Sequence, residues 1–296
     1  MADLHLRLHK DVLVMSASYD FALASQDFVE DADKMYAVMC EPEIIEEQMK
    51  LETTINIPCI CLPTEHITNA HLAYGNLEGQ GPAMAEVCWE LVENLPTQHV
   101  IAPVYSAGLP IDETSKVSLK QSNMQYQDAV KALIQYPLDA IYFEGFTNAY
   151  DLQCALMGAR SVYDGVLMAS FALDSEGQFN QEEYSFEKAV QMAEEYGADV
   201  IGIVSSAPLS KLEKAVATIR EKTNAAILVE LVGDKTVNSR LNPGEENPYW
   251  SPQTMIDAAL VLQKWKVQFL RATGMVSPSF SGALLAASLG QEAILG

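Results

Sequence analysis

Tyr136-Pro-Leu-Asp-Ala-Ile-Tyr-Phe-Glu144 holds a helix end, a turn and an opening strand in one short stretch, and Tyr196-Gly-Ala-Asp-Val-Ile repeats the pattern further along the chain. Outward from this pair, short apolar runs alternate with amphipathic segments throughout. The runs are Val12–Met15, Ile57–Leu62, Val100–Val104, Ala140–Phe143, Val166–Phe171, Val200–Val204, Ala226–Leu231 and Val267–Leu270, eight in all. Runs that are apolar on both faces suit buried parallel strands.

Helical periodicity fills the gaps. Tyr126, Ala129, Val130, Leu133 and Ile134 recur at three- and four-residue spacing, as do Phe186, Ala189, Val190 and Ala193, and Leu209, Leu212, Val216 and Ile219. Each set is an apolar stripe on one side of a helix. Pro42 and Pro252 stand near helix starts, where a missing N–H costs nothing, and Ser251 or Thr254 can cap the helix that follows the seventh run. Eight β-then-α units in order make a barrel or a long open sheet. A (β/α)8 barrel needs about 250 residues. The 296-residue chain is therefore expected to be one α/β barrel domain over residues 1–296. Its longer polar stretches, Ser106–Ser122 and Gly233–Ser251, follow the third and seventh strands. That is the face where barrel active sites are built.

Composition narrows the function. Hydrophobic residues make up 49% and charged residues 20%, enough apolar mass for a full core. The net charge of −22 repels phosphate backbones and anionic lipid, so neither nucleic acid nor membrane is an expected partner. The acid residues read first as a solubilising coat for the outer helices. Five cysteines at irregular spacing form no disulfide framework or zinc ribbon. With no leader-like start and no uninterrupted membrane-length run, a cytoplasmic location is expected. The mild apolar run Ser279–Leu289 reads as a packed helix.

Several segments, in the right order over most of the chain, resemble the homocysteine S-methyltransferase family. Glu41-Pro-Glu-Ile-Ile-Glu-Glu is similar to the family's first helix, and Ile141-Tyr-Phe-Glu144 to its fourth strand, which ends in a glutamate. Ala169-Ser-Phe with Glu176-Gly is similar to the fifth strand and its loop, and Gly197-Ala-Asp-Val-Ile-Gly-Ile leads into the sixth. The resemblance implies a methyltransferase acting on a small molecule. It implies a methylated amine, a folate or a corrinoid protein as donor, and Glu144 as the residue that holds an amino group. Homodimers are common in the family, which keeps a homo-oligomer open.

The departures fall where the family does its chemistry. Family members hold zinc with three cysteines, one in an Asn-Cys-Ser turn after the sixth strand and two in Gly-Gly-Cys-Cys-Gly-Thr-Thr-Pro after the eighth. Here those segments read Val204-Ser205-Ser206 and Arg271-Ala-Thr-Gly-Met-Val-Ser-Pro278, so Ser205, Thr273 and Gly274 occupy the zinc positions. Zinc holds a thiol substrate as its thiolate, and soft thiolates hold the zinc. Hydroxyls and a glycine do neither, and no bound cofactor is expected. The strand ends Ser16-Ala-Ser-Tyr-Asp-Phe21, Leu62-Pro-Thr-Glu65 and Leu231-Val232 also depart from the family's Asp-Gly-Ala-x-Gly-Thr, Thr-Asn-Thr-Phe and Pro-Asn.

The candidate site is therefore Glu144 as catalytic residue, with Tyr19, Glu65, Glu144, Ser205, Arg271 and Thr273 contacting substrate. Arg271 can bind a carboxylate or phosphate through its planar fork, or simply neutralise Glu144. Ser205 and Thr273 can bond a ligand or fill space. Cys59 and Cys61 share a face of strand two, with Glu65 and His66 at its mouth; this could be another metal site, but the spacing matches no zinc signature and buried free cysteines are common. His66 and His71 read as loop or helix-surface residues. Two functions follow. One is a methyltransferase-like enzyme taking an amino-acid-like or anionic substrate without the three-cysteine zinc. The other is a non-catalytic ligand-binding or partner subunit of a methyltransferase or corrinoid system.

Overall fold

The computed structural model describes residues 3–181, 184–235 and 247–294. Eight parallel strands run in order round a nearly closed barrel: β1 (Leu13–Val14), β2 (Cys59–Cys61), β3 (His99–Tyr105), β4 (Ala140–Phe146), β5 (Val166–Ala172), β6 (Val200–Ser205), β7 (Ala226–Asp234) and β8 (Val267–Met275). β1 pairs with β8. The seam between β1 and β2 is thin. A Met15–Cys59 bridge joins them, Ser16 N donates to Cys59 O at 2.8 Å, and Cys61 N donates to Ser16 Oγ at 2.9 Å.

All eight apolar runs are strands. The opening echo has a structural meaning. Asp139 Oδ2 accepts from Val100 N and Asp199 Oδ2 accepts from Leu167 N, both at 2.9 Å. Each aspartate thus ties its turn to the start of the preceding strand, satisfying a donor that the ladder leaves over. β4, β7 and β8 run three to five residues past their apolar runs, because pairing continues among residues that face the mouth.

The helices form an outer layer. The helices Lys116–Leu133, Phe186–Glu195 and Leu209–Lys222 bury the expected stripes, and Ser115 and Ser185 cap the first two. Ser251 is the N-cap of helix Pro252–Leu262, and its N–H donates to Thr254 Oγ1 at 3.4 Å. One boundary differs. Lys116 to Ser122, expected in a polar loop, is helix, because Ser115 accepts from Ser118 N and stops the loop there. Of the other stretch, 236–246 lies outside the described residues and Gly233-Asp234 is still strand. The run Ser279–Leu289 packs as helix Pro278–Ser288. No described helix is long and apolar enough to cross a membrane.

Two apolar layers result. One lies between strands and helices, and a smaller one fills the barrel, where Cys59, Cys61, Ile101, Met168 and Phe269 meet. The helix Leu4–Arg7 closes the lower end through Leu4. The upper end is polar.

Candidate active site

Arg271 on β8 is fully buried and organises the upper end. Glu230 on β7 lies beside it in register, and Glu144 reaches it from β4 across the barrel. Its Nη1 donates to Glu144 Oε2 at 2.5 Å and to Glu230 Oε2 at 3.4 Å, and its Nε donates to Ser16 O at 3.0 Å. Nη2 has no hydrogen-bond partner among the described residues, and Glu65 Oε1 stands 4.0 Å away. One cation therefore faces three carboxyls.

Burial resolves this imbalance with protons. Loss of water, then the nearby Glu144 charge, pushes Glu65 and Glu230 each up to about 8. Both are thereby biased towards the protonated form, and Glu144 is the carboxyl that Arg271 holds at 2.5 Å. Glu230 also accepts a very short hydrogen bond from the Tyr142 hydroxyl, and Ser170 Oγ lies 2.5 Å from the same hydroxyl. Glu52 supports the cluster from outside. It accepts from Ala17 N at 3.1 Å and Ser281 Oγ at 3.0 Å, fixing the segment whose Ser16 carbonyl receives Arg271, and burial pushes it up to about 7.

A cavity of about 400 Å³ opens above the cluster. Glu144, Asp20, Asp31, Tyr105, Ser106, His66, His71 and Thr273 line it, and no lysine or arginine is among the described lining residues. Burial, then the neighbouring His71, pushes His66 down to about 4; burial also lowers His71. Both imidazoles are neutral at pH 7, so the charged groups of the lining are carboxyls, with Lys34 Nζ 2.7 Å from Asp20 and 3.9 Å from Asp31 and Arg271 on Glu144. A chamber of about 30 Å³ lies beside it, walled by Tyr19, Lys34 and Glu65, and shares Asp20, His66 and Tyr105 with it.

The expected residues thus divide. Glu144 and Thr273 line the cavity, Glu65 and Tyr19 the chamber, and Arg271 lies in the cluster. Tyr19 is buried, its hydroxyl donating to Cys61 O. Ser205 stands apart: its Oγ donates to Asp174 O and accepts from Ala207 N, both at 3.0 Å, which ties the turn after β6 to the loop after β5. Cys59 and Cys61 face the barrel interior, with thiols pushed up by burial, Cys61 to about 12. Among the described residues no group of three or more His, Cys, Asp or Glu is placed to hold a metal ion. His66 lies in the turn after β2 and His71 on helix Asn69–Tyr74, where they meet edge to face at 5.0 Å in the cavity wall; His66 is buried and His71 half-buried. Glu230 was not foreseen, although a carboxylate inside the run Ala226–Leu231 carried the signal.

The homocysteine S-methyltransferase family model matches residues 84–270, more than half of the sequence, so the chain belongs to that family. Among solved structures it is similar to the Escherichia coli homocysteine methyltransferase MmuM. The oxidized form is 16% identical with a TM-score of 0.74, and the metallated form 14% identical with a TM-score of 0.71; each match covers 94% of this chain and 96% of that one. The carboxyl transferase domain of Rhizobium etli pyruvate carboxylase is a more distant likeness, 10% identical with a TM-score of 0.53 over 97% of this chain and 49% of that one. At these identities the likeness is one of fold. No protein of curated function matches the sequence.

Proposed function

We propose that this chain is a methyltransferase-type barrel enzyme that holds a small amino-acid-like substrate at the upper mouth without the family's three-cysteine zinc. The observation that carries this reading is the carboxyl-lined 400 Å³ cavity whose floor carries Glu144. A ligand ammonium group can bond to a carboxyl that lines it, Glu144 first. Of the two substrate types expected, the anionic one is disfavoured, because no lysine or arginine is among the described residues that line the cavity.

The zinc half of the proposal rests on the donors. The Ser205 hydroxyl is occupied, Thr273 offers one neutral hydroxyl and Gly274 offers none. Such a set does not fit a zinc ion held by soft ligands. No step of the proposed chemistry therefore passes through a metal.

Calorimetric titration of chelator-treated protein with L-homocysteine, and with its deaminated analogue 4-mercaptobutyrate, tests the reading. A charged hydrogen bond lost is worth about 1.5–3 kcal/mol, so the analogue is expected to bind about 10–100-fold more weakly. Equal affinities, or homocysteine binding that needs added zinc, would contradict it.

A further inference from the structure

Two buried side-chain nitrogens at the mouth lack a hydrogen-bond partner among the described residues: Arg271 Nη2 and His66 Nδ1. Both residues are more than nine-tenths buried. Leaving such an atom unsatisfied costs about 1–3 kcal/mol, so each calls for an account. Glu65 adjoins both: it precedes His66 in the chain, and its Oε1 lies 4.0 Å from Arg271 Nη2.

The three carboxyls round Arg271 are not equivalent. Glu144 is held at 2.5 Å by Nη1. Glu230 is sealed, with no exposed surface, beneath Tyr142 and Ser170. Glu65 keeps the largest exposed edge of the three, 13% of its side chain against 3% for Glu144, and stands off from the guanidinium beyond hydrogen-bond reach. Ionised, it would face Arg271 as its cation across that gap; neutral, it makes no bond to the guanidinium.

Glu65 lines the chamber and not the 400 Å³ cavity. The chamber, at about 30 Å³, exceeds the roughly 10–15 Å³ that one water needs. Such a water would lie among Glu65, Asp20, His66 and Tyr105, the last three of which also line the cavity.

We propose that Glu65 accepts, through one water in this chamber, the proton of a thiol substrate held at the mouth, with Arg271 Nη2 as the positioning donor for its carboxylate. This rests on the methyl-transfer reading above. The S–H bond breaks and its proton passes through the water to Glu65. The sulfur electron pair forms the new S–CH3 bond with an onium methyl donor, and the carbon–heteroatom bond of that donor breaks with its pair retained by the leaving amine or thioether. The proton then returns to solvent. Activation of the thiol, which the family assigns to zinc, thus falls to a carboxylate whose raised pKa, about 8, lies close to the roughly 8.5 of a free thiol.

Single-turnover methyl transfer to L-homocysteine from betaine or S-methylmethionine, with chelator-treated protein across pH 6 to about 9.5, tests this. The wild-type rate is expected to rise with pH and level off above about 8. Glu65→Gln, which imitates the protonated carboxyl in shape, is expected to fall about 100-fold or more and to lose that limb, while Glu65→Asp recovers part of both. A Glu65→Gln rate within threefold of wild type, or a fall with an unchanged pH profile, would overturn this proposal alone. Absence of wild-type turnover with either donor, or turnover that vanishes on chelation, would overturn the methyl-transfer reading and this proposal with it.

Discussion

The barrel has an arginine at each end, and the two are used in opposite ways. At the lower end Arg7 pairs with Asp11 and donates to Gln98 Oε1 at 2.8 Å, with His99 Nε2 at 3.1 Å. Gln268 ties the same turn down, donating to Arg7 O at 2.6 Å and accepting from His9 N at 2.7 Å. Asp139 completes the set, lying 3.1 Å from His99 Nδ1. At the upper end Arg271 meets more carboxyl groups than it can neutralise and keeps an unpartnered N–H. A network with every member satisfied holds a plug in place. A network with protons in excess and a spare donor sits ready for a ligand. What separates the two ends is therefore satisfaction, since residue types are shared.

Substitutions can break this contrast. The largest effect is expected at Arg271→Met, which strands Glu144 and Glu230 in the barrel without a cation. It should cost about 3–5 kcal/mol, read from urea unfolding. Adding Glu144→Gln should restore part of that loss, because the stranded charge is then gone. No restoration would mean that Arg271 acts by packing.

The pH dependence is the next largest effect. Glu65 and Glu230 stand near 8 in the folded chain against an ordinary 4.5, so the folded state holds protons that the unfolded chain has released. Their contribution is complete below about 4.5 and is lost as pH climbs towards 8. The urea midpoint should therefore fall between about pH 5 and 8, and Glu65→Gln and Glu230→Gln should each flatten that fall. Glu52, pushed the same way, leaves some slope in both variants. A flat wild-type profile would mean that the carboxyls are ionised throughout.

Smaller effects belong to residues that are fully satisfied. Arg7→Ala, at the half-exposed lower plug, is expected to cost about 1–2 kcal/mol and to leave ligand affinity at the mouth unchanged. Ser205→Ala should cost about 1 kcal/mol by releasing the turn after β6, again without a change in ligand affinity. An affinity change of tenfold in that variant would put Ser205 in the ligand site.

The scaffold was open to sequence reading because its signals are local. Runs apolar on both faces, stripes at helical spacing and the Tyr136 and Tyr196 echoes each report on neighbours in the chain, and the eight strands follow from them. The site was half open. Glu144 and Arg271 showed themselves as charges at strand ends, and their pairing was one of the two alternatives. Glu230 was hidden by its apolar flanks, although a carboxylate in a strand buried on both sides must find a partner. His66 and His71 lie in a turn and on a helix as expected, but the burial of His66 comes from packing against Tyr105 of β3, which spacing along the chain does not report. For Ser205 the sequence left ligand contact and space-filling open; its hydroxyl bonds Asp174 O and Ala207 N, partners that the sequence does not report.

Metal content tests the central claim most directly, by elemental mass spectrometry on protein purified without chelator or affinity-column metal. A mouth run by buried carboxyls and Arg271 predicts far less than one zinc per chain, with homocysteine binding unaffected by chelation. About one zinc per chain, lost together with binding on chelation, would contradict it and show that hard ligands at the mouth hold the metal after all.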